Sequence, residues 1–171
     1  YRSASRSPRT PNKTVMGRRQ FDWLLNALTV SRAPFKVVMG GGQFLSPFDR
    51  FEGYAQAPHE QKRLISEIVE RKISGVVFLS GDRHHSELVK IKPSGFYPLY
   101  DFTSSPLTSR GAAASYELKS DVRVPNTLVR KKRNFGILRF DGPKNGRTLT
   151  METRDGQGER IWSHIIKASD L

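Results

Sequence analysis

The densest group of chemically active side chains is Gly81-Asp82-Arg83-His84-His85, which directly follows the apolar run 75–79. Glycine lets the backbone turn sharply, so the Asp82 carboxylate and the imidazoles of His84 and His85 can be directed toward one point above the sheet edge. Carboxylate oxygen and neutral imidazole nitrogen are ligands for Zn, Fe, Mn and similar cations, and carboxylate oxygen also suits Ca. The spacing therefore indicates a metal site. The alternative is that Asp82 caps a turn and the histidines lie on the surface.

Three further side chains belong to the same hypothesis. Arg83 and His85 have the chemistry to contact a phosphate or to donate a proton. Gln43 follows Gly40-Gly41-Gly42, a turn that ends a second apolar run at residues 35–39. Its amide would face the same cleft if the two runs are neighbouring strands, and would otherwise be solvated in a glycine-rich turn. The turn is not a nucleotide-binding P-loop, because it lacks the Gly-Lys-Ser/Thr ending.

Other residues with nucleophilic or metal-binding side chains have simpler interpretations. The hydroxyl-rich stretch contains no Gly-x-Ser-x-Gly elbow, so its members are predicted to be turn residues: Ser104, Ser105, Thr108 and Ser109. His59 stands at a helix start and His164 in the last strand, and both are predicted to be surface or packing residues.

The elements that position these residues can be predicted from hydrophobic periodicity. Apolar residues recur at helical spacing after Gly17, which predicts a helix that ends before Pro34. A second helix is predicted from Pro58 to about Lys72. Because the second helix separates the apolar strands 35–39 and 75–79, the three form a β-α-β unit with parallel strands. Ligands collect at the carboxyl ends of such strands, where the two polar segments lie.

The rest of the chain has a different pattern. Shorter strands are predicted at 86–91, 99–103, 135–140, 148–153 and 160–166. Residues 44–57 are predicted to be an aromatic-rich loop, and residues 104–134 show little periodicity. We therefore expect an α/β fold whose second half consists mainly of strands joined by turns.

Composition limits the possible functions. The chain has 171 residues, no cysteine and a formal net charge of +13, which excludes a disulfide framework, a cysteine zinc site and a thiol nucleophile. No apolar run approaches the roughly 20 residues that span a bilayer. The positive charge is concentrated in residues 1–20 and 119–133. These segments are either solvated loops or a surface for nucleic acid or another polyanion. Residues 1–15 are predicted to be a basic loop or tail, and residues 16–171 to belong to one domain.

Five segments carry a family resemblance, at residues 16–24, 35–43, 76–88, 97–109 and 134–142. In this order they resemble the C-terminal half of alkaline phosphatase D-like (PhoD-like) metallophosphatases, within the calcineurin-like phosphoesterase group. The resemblance extends from residue 16 to about residue 166, and five matches in order are more specific than any one alone.

The resemblance implies the C-terminal half of a four-layer α/β/β/α sandwich that hydrolyses phosphate esters at a dinuclear metal site. The two ions would be divalent or trivalent, with Ca, Fe, Mn or Zn as the possible metals. It implies that Asp82 and His84 are metal ligands. Gln43, Arg83 and His85 are then the catalytic candidates, with Gln43 standing where many members of the group carry histidine.

The resemblance also places most metal ligands of the family before Tyr1. We therefore expect the chain to be the C-terminal part of a phosphatase domain, inactive without its N-terminal half, with a periplasmic or extracellular parent. The competing hypothesis is a non-catalytic basic module that binds nucleic acid or another polyanion, and a third is a degenerate, inactive domain. A polyanion binder loses affinity steeply with salt, whereas a metal-site function responds to a chelator.

Overall fold

The computed structural model describes residues 12–171, so residues 1–11 of the predicted basic tail lie outside the described part. Its two α-helices are α1 (Gly17–Val30) and α2 (Pro58–Glu70). Its seven strands are β1 (Lys36–Met39), β2 (Val76–Ser80), β3 (Glu87–Ile91), β4 (Leu99–Thr103), β5 (Asn134–Asp141), β6 (Thr148–Asp155) and β7 (Arg160–Lys167). Every helix and strand predicted above is present, with small differences at the ends.

The first sheet has the order β1-β2-β4-β3. β1 and β2 are parallel, with Val37 opposite Val77, so the predicted β-α-β unit is confirmed. β4 is also parallel to β2, and β3 lies antiparallel at the far edge. The second sheet is an antiparallel meander, β5-β6-β7.

Both helices pack on one face of the first sheet. Phe21 and Leu25 of α1 and Ile68 of α2 form a core with Val76 and Phe78 of β2. The opposite face packs against the second sheet through a second core, which contains Val77, Phe102, Leu149, Met151 and Trp162. Burial on both faces explains why β2 is a continuous apolar run rather than an alternating one.

The described residues thus form three layers, in the order helices, first sheet, second sheet. The resemblance implied a fourth layer of helices beyond the second sheet. Within residues 12–171 that outer layer is absent, because both α-helices pack in the first core. No helix in this range is long and apolar enough to cross a membrane.

Glu60, in the first turn of α2, fixes the start of α1. Its buried carboxylate accepts hydrogen bonds from the backbone N–H groups of Val15, Met16 and Gly17, at 2.6, 3.0 and 3.0 Å. The first N–H groups of a helix have no partner within the helix, so a carboxylate from a different helix satisfies them here.

Residues 104–133 contain neither an α-helix nor a strand, and β5 begins at Asn134, the last residue of the segment with weak periodicity. They include one short 3₁₀ turn, Glu117–Lys119. Single β-bridges join Val129 to Ser86 and Arg123 to Val89, which holds the segment along β3. The aromatic-rich loop 44–57 is also irregular, with Phe44 stacked on Phe78 and Tyr54.

Candidate active site

The two polar segments predicted to share a sheet edge are in contact. The N–H of Gly40 donates to the carbonyl of Leu79 at 3.0 Å, and the N–H of Gly81 donates to the carbonyl of Gly41 at 3.2 Å. The turn after β1 and the loop after β2 therefore continue side by side beyond the strands. This arrangement follows from the parallel pairing of β1 and β2, because parallel strands end at the same edge.

Asp82 and His84 are exposed at this edge. Both have left-handed backbone conformations, with φ of 65° and 55°, a region that side-chain-bearing residues seldom occupy and that is concentrated at functional sites. The N–H of His84 donates to Ser105 Oγ at 3.0 Å, and its Nε2 lies 3.3 Å from Ser109 Oγ. Two of the predicted turn serines thus border His84.

Arg83 and His85 point the other way and are buried. The Arg83 guanidinium forms an ion pair with Glu117, with Nη2 and Oε1 2.5 Å apart. His85 Nε2 lies 3.1 Å from Glu87 Oε1, and His85 Nδ1 lies 3.1 Å from the Arg83 carbonyl. The expectation that the Asp82 carboxylate and both imidazoles point toward one site is therefore wrong for His85: exposed and buried side chains alternate from Asp82 to His85. The catalytic roles of Arg83 and His85 stay predictions.

Gln43 is buried next to His85 rather than exposed with Asp82 and His84. Its Nε2 donates to Glu87 Oε1 at 2.8 Å and to Thr103 Oγ1 at 2.9 Å. Its Oε1 has no hydrogen-bond partner within the described chain, and neither has Glu87 Oε2. No hydrogen bond in this part of the chain joins Gln43 to Asp82 or His84. The amide is thus fixed by its nitrogen, and its oxygen remains a free acceptor.

Asp101, on the central strand β4, extends the buried polar network under the turn. Its Oδ2 accepts the N–H groups of Phe44 and Leu45 at 2.6 and 2.9 Å, and its Oδ1 accepts Ser80 Oγ at 2.8 Å. Burial raises the pKa of Asp101 to about 6, these three hydrogen bonds oppose the rise, and the nearby negative charge of Glu87 adds to it. The carboxylate fixes the two residues that follow Gln43.

The metal-ligand roles of Asp82 and His84 stay predictions. Their side chains offer one oxygen and one nitrogen donor at the exposed edge. However, nowhere in residues 12–171 do three His, Asp or Glu side chains group closely enough to hold a metal ion. The donor chemistry fits a metal, and the number of donors falls short of a complete site.

The remaining histidines lie outside this edge. His59 is exposed at the start of α2, and the His164 ring packs 5.5 Å from the ring of Tyr100. Burial, and secondarily the positive charge of Lys90, lower the pKa of His164.

Sequence reasoning missed three buried carboxylates near the site, those of Glu87, Asp101 and Glu117. Asp101 carried a signal, because it is a charged residue inside an otherwise apolar strand, and buried charges are paired or hydrogen-bonded. Glu117 carried no such signal, since it lies in the segment without periodicity.

Basic residues border the loop of His84. The N–H of Ala112 donates to the His84 carbonyl at 2.7 Å, and the N–H of Lys131 donates to the Ala112 carbonyl at 2.9 Å. This pairing brings together five exposed cationic side chains, which form no ion pair with a carboxylate of residues 12–171: Arg110, Arg130, Lys131, Lys132 and Arg133.

A groove of about 710 Å³ runs between α1 and β1 and reaches Asp82. Trp23 and Met39 line it and are 66% and 74% exposed. β1 donates toward β2 through the N–H groups of Lys36 and Gly40, and successive amides of a strand point to opposite sides. The N–H groups of Val37 and Met39 therefore point into the groove, and no strand of the described chain pairs with β1 there.

Comparison with known proteins identifies the family of the chain. The family model described as PhoD-like phosphatase matches residues 2–154. The chain belongs to this family. It is 27% identical over 128 residues to alkaline phosphatase D of Bacillus subtilis (strain 168). The aligned region covers 66% of this chain and 22% of that protein. A solved structure titled "Structure of PhoD" superposes with a TM-score of 0.65 at 19% identity, covering 96% of this chain and 37% of the other.

These matches confirm the predicted family and give the mixed α/β fold with two sheets. This PhoD-like chain spans about a fifth of the curated relative and just over a third of the solved structure that it matches.

Proposed function

We propose that this PhoD-like chain is part of a metal-dependent phosphate-ester hydrolase and contributes Asp82 and His84 as metal ligands. The observation that carries the proposal is the exposure of both side chains at the carboxyl end of β2, while the residues between and after them are buried. Their left-handed backbone conformations support it, because such conformations persist where the surroundings determine them.

Asp82 and His84 would hold part of a site for two divalent or trivalent ions, with Ca, Fe, Mn or Zn as candidates. When bound, such ions polarise the phosphoryl oxygens and make a water molecule more acidic. Asp82 would ligate through a carboxylate oxygen and His84 through a ring nitrogen. Ser109, whose Oγ lies 3.3 Å from His84 Nε2, is placed to orient the ring.

Gln43 is proposed to orient a water molecule or to ligate through Oε1, the atom left without a partner in residues 12–171. Its Nε2 cannot take this role, because Glu87 and Thr103 accept both of its hydrogens. The proposal gives His85 an indirect part, since its imidazole contacts Glu87, which in turn holds the Gln43 amide.

The remaining ligands are proposed to come from an N-terminal half of the same phosphatase domain. Two observations support this: the matched relatives are several-fold longer than the matching region, and no strand of residues 12–171 pairs with the outer edge of β1. An added strand beside β1 would bring its own carboxyl or amino end close to Asp82. The family resemblance favours a periplasmic or extracellular parent.

The test uses the parent polypeptide with p-nitrophenyl phosphate and bis-p-nitrophenyl phosphate, after loading with each candidate metal. We expect His84→Ala to lower turnover by about 100-fold or more and to reduce bound metal, because a methyl group cannot ligate. His59→Ala is the matched control, since it removes an exposed histidine elsewhere. The 171-residue chain alone is expected to show no metal-dependent hydrolysis. Unchanged metal content and rate in His84→Ala would exclude the ligand assignment.

A second candidate function is nucleic-acid binding without catalysis. The observation that favours it is the cluster of Arg110 and residues 130–133 without compensating carboxylates. Binding of single-stranded DNA that weakens steeply between 50 and 200 mM salt, and is indifferent to chelators, would support this function. The charge-reversing triple variant of Arg130, Lys131 and Lys132 to Glu would then abolish binding.

A further inference from the structure

Both terminal nitrogens of the Arg83 guanidinium donate to protein groups. Besides the ion pair with Glu117, its Nη1 donates to the carbonyl of Arg50 at 2.7 Å. Its Cζ lies 4.9 Å from the centre of the Phe51 ring. The Arg83 and Glu117 side chains are 5% and 4% exposed, so water has little access to the pair. A phosphate ester would have to displace these partners to reach Arg83.

The two segments that contact Arg83, at residues 50–51 and 116–117, also contact each other. The Arg50 guanidinium lies 3.8 Å from the centre of the Tyr116 ring, a cation–π distance. Arg123 donates through Nη1 to the carbonyl of Glu117, which ties the turn to the strand-like stretch beside β3. Three loops that are distant in sequence, at residues 50–51, 82–84 and 116–117, therefore meet at one ion pair.

The residues around this pair have unfavourable backbone conformations. Phe51, Asp82 and His84 have φ of 62°, 65° and 55°. Asp and Asn tolerate the left-handed conformation better than other residues, because their short polar side chains can form local hydrogen bonds. The Phe51 side chain has no polar group for this. Such residues keep the left-handed region only when the surrounding contacts hold them there. Arg83 lies between Asp82 and His84, and its ion pair adds to the backbone hydrogen bonds that His84 forms with Ser105 and Ala112.

We propose that Arg83 and Glu117 form a clamp that positions Asp82 and His84. Arg83 is then a positioning residue that acts through the backbone of its two neighbours, and it does not contact the phosphate ester. Glu117 has the same role from the far side. The proposal rests on the proposed function in one respect, that Asp82 and His84 are the side chains whose position matters. An ion pair of this kind suits a positioning role, because its desolvation cost offsets most of its contribution to stability.

The first test is hydrogen exchange measured by mass spectrometry on the 171-residue chain. The amides of Arg83 and His84 are hydrogen-bonded, to Gly81 O at 2.8 Å and to Ser105 Oγ at 3.0 Å, so loosening of the loop is measurable. We expect Glu117→Gln to speed exchange at residues 82–85 and 50–53 about tenfold or more, although Glu117 is 34 residues from Arg83. Arg83→Lys should do the same, and the double variant should add little.

The matched control is Glu67→Gln, which breaks the more exposed pair of Glu67 with Arg71, 2.8 Å apart, and should leave both loops unchanged. Faster exchange confined to the mutated segment in each variant would overturn the clamp. So would full additivity in the double variant, because residues that act through one contact are not additive.

A second measurement separates positioning from simple stabilisation. In the parent phosphatase, Glu117→Gln should weaken Mn²⁺ binding about tenfold and lower kcat, with KM for p-nitrophenyl phosphate unchanged. Leu28→Ala, in the helical core, should lower Tm and leave Mn²⁺ affinity unchanged. If Arg83→Lys raises KM while Glu117→Gln affects neither KM nor kcat, Arg83 contacts the ester and the clamp is wrong. Failure of the unaltered parent to bind any of Ca, Fe, Mn or Zn refutes the proposed function, and the exchange measurement then decides the clamp.

Discussion

Replacing Asp101 with Asn is expected to stabilise the protein at neutral pH and to have little effect in acid. Asp101 is fully buried, and burial raises its pKa from 3.8 to about 6. Between these values the folded state keeps a proton that the unfolded state has released. The contribution of Asp101 to stability is therefore fully present below pH 3.8 and is lost as the pH rises through about 6.

The magnitude follows from the same two values. Their difference, at about 1.4 kcal/mol for each pH unit, amounts to about 3 kcal/mol above pH 7. Asn fits the site without a charge: its oxygen can accept the N–H groups of Phe44 and Leu45, and its amide can donate to Ser80 Oγ, which lies 2.8 Å from the present carboxylate. Ser80 can then donate to Thr103 Oγ1, 3.0 Å away.

The assay is urea unfolding of the 171-residue chain at pH 4.5, 6.0 and 7.5, followed by fluorescence of the buried Trp162. The stability difference between Asp101→Asn and the unaltered chain should grow by about 2 kcal/mol from pH 4.5 to pH 7.5. The exposed Asp141→Asn is the control and should show no such growth. A difference that is equal at pH 4.5 and 7.5 would show that the three hydrogen bonds outweigh the burial of the charge.

Two further predictions concern the fold. Glu60→Ala should lower the free energy of unfolding by about 2–4 kcal/mol, because three N–H groups at the start of α1 lose their acceptor. Glu60→Gln keeps one acceptor oxygen and should lower it less. Equal stability of Glu60→Ala and the unaltered chain in urea would contradict the capping role. Gly75→Ala should destabilise by about 1–3 kcal/mol, because Gly75 has φ of +72° and an added Cβ would lie 2.2 Å from the Pro34 carbonyl oxygen. Gly156→Ala is its control, because no atom lies within 4 Å of the added Cβ, and its stability should be nearly unchanged. Thermal unfolding of both variants measures the difference.

The parts of the fold that follow from local pattern were predictable. The apolar runs 35–39 and 75–79 gave parallel strands because a helix of suitable length separates them. The insertion of β4 between β2 and β3 was not predictable, because this pairing joins segments that are distant in sequence and leaves no local signature. The capping of α1 by Glu60 was not predictable for the same reason, since the acceptor lies 45 residues from Val15.

At the site, the residue types did not indicate the direction of each side chain, and the metal chemistry of Asp82 and His84 stays a prediction. We expected the Asp82 carboxylate and the imidazoles of His84 and His85 to point toward one site, with the Gln43 amide facing the same cleft. Exposed and buried side chains instead alternate in a loop whose residues 82 and 84 are left-handed, which no local pattern indicated. Nothing local indicated that Gln43 is buried, because its partners Glu87 and Thr103 come from β3 and β4.

The buried charges at this end of the sheet are better explained by positioning than by stability. Asp101 fixes the residues after Gln43, and Arg83 with Glu117 fixes the loop of Asp82 and His84. Apolar side chains of similar volume in place of Arg83 and Glu117 would stabilise the fold as well or better, because removing charges from water is costly. They would leave the left-handed residues 82 and 84 without this ion pair. An apolar residue in place of Asp101 would leave the N–H groups of residues 44 and 45 without an acceptor. The exposed pair at the edge of β2 thus depends on charges that no substrate needs to touch.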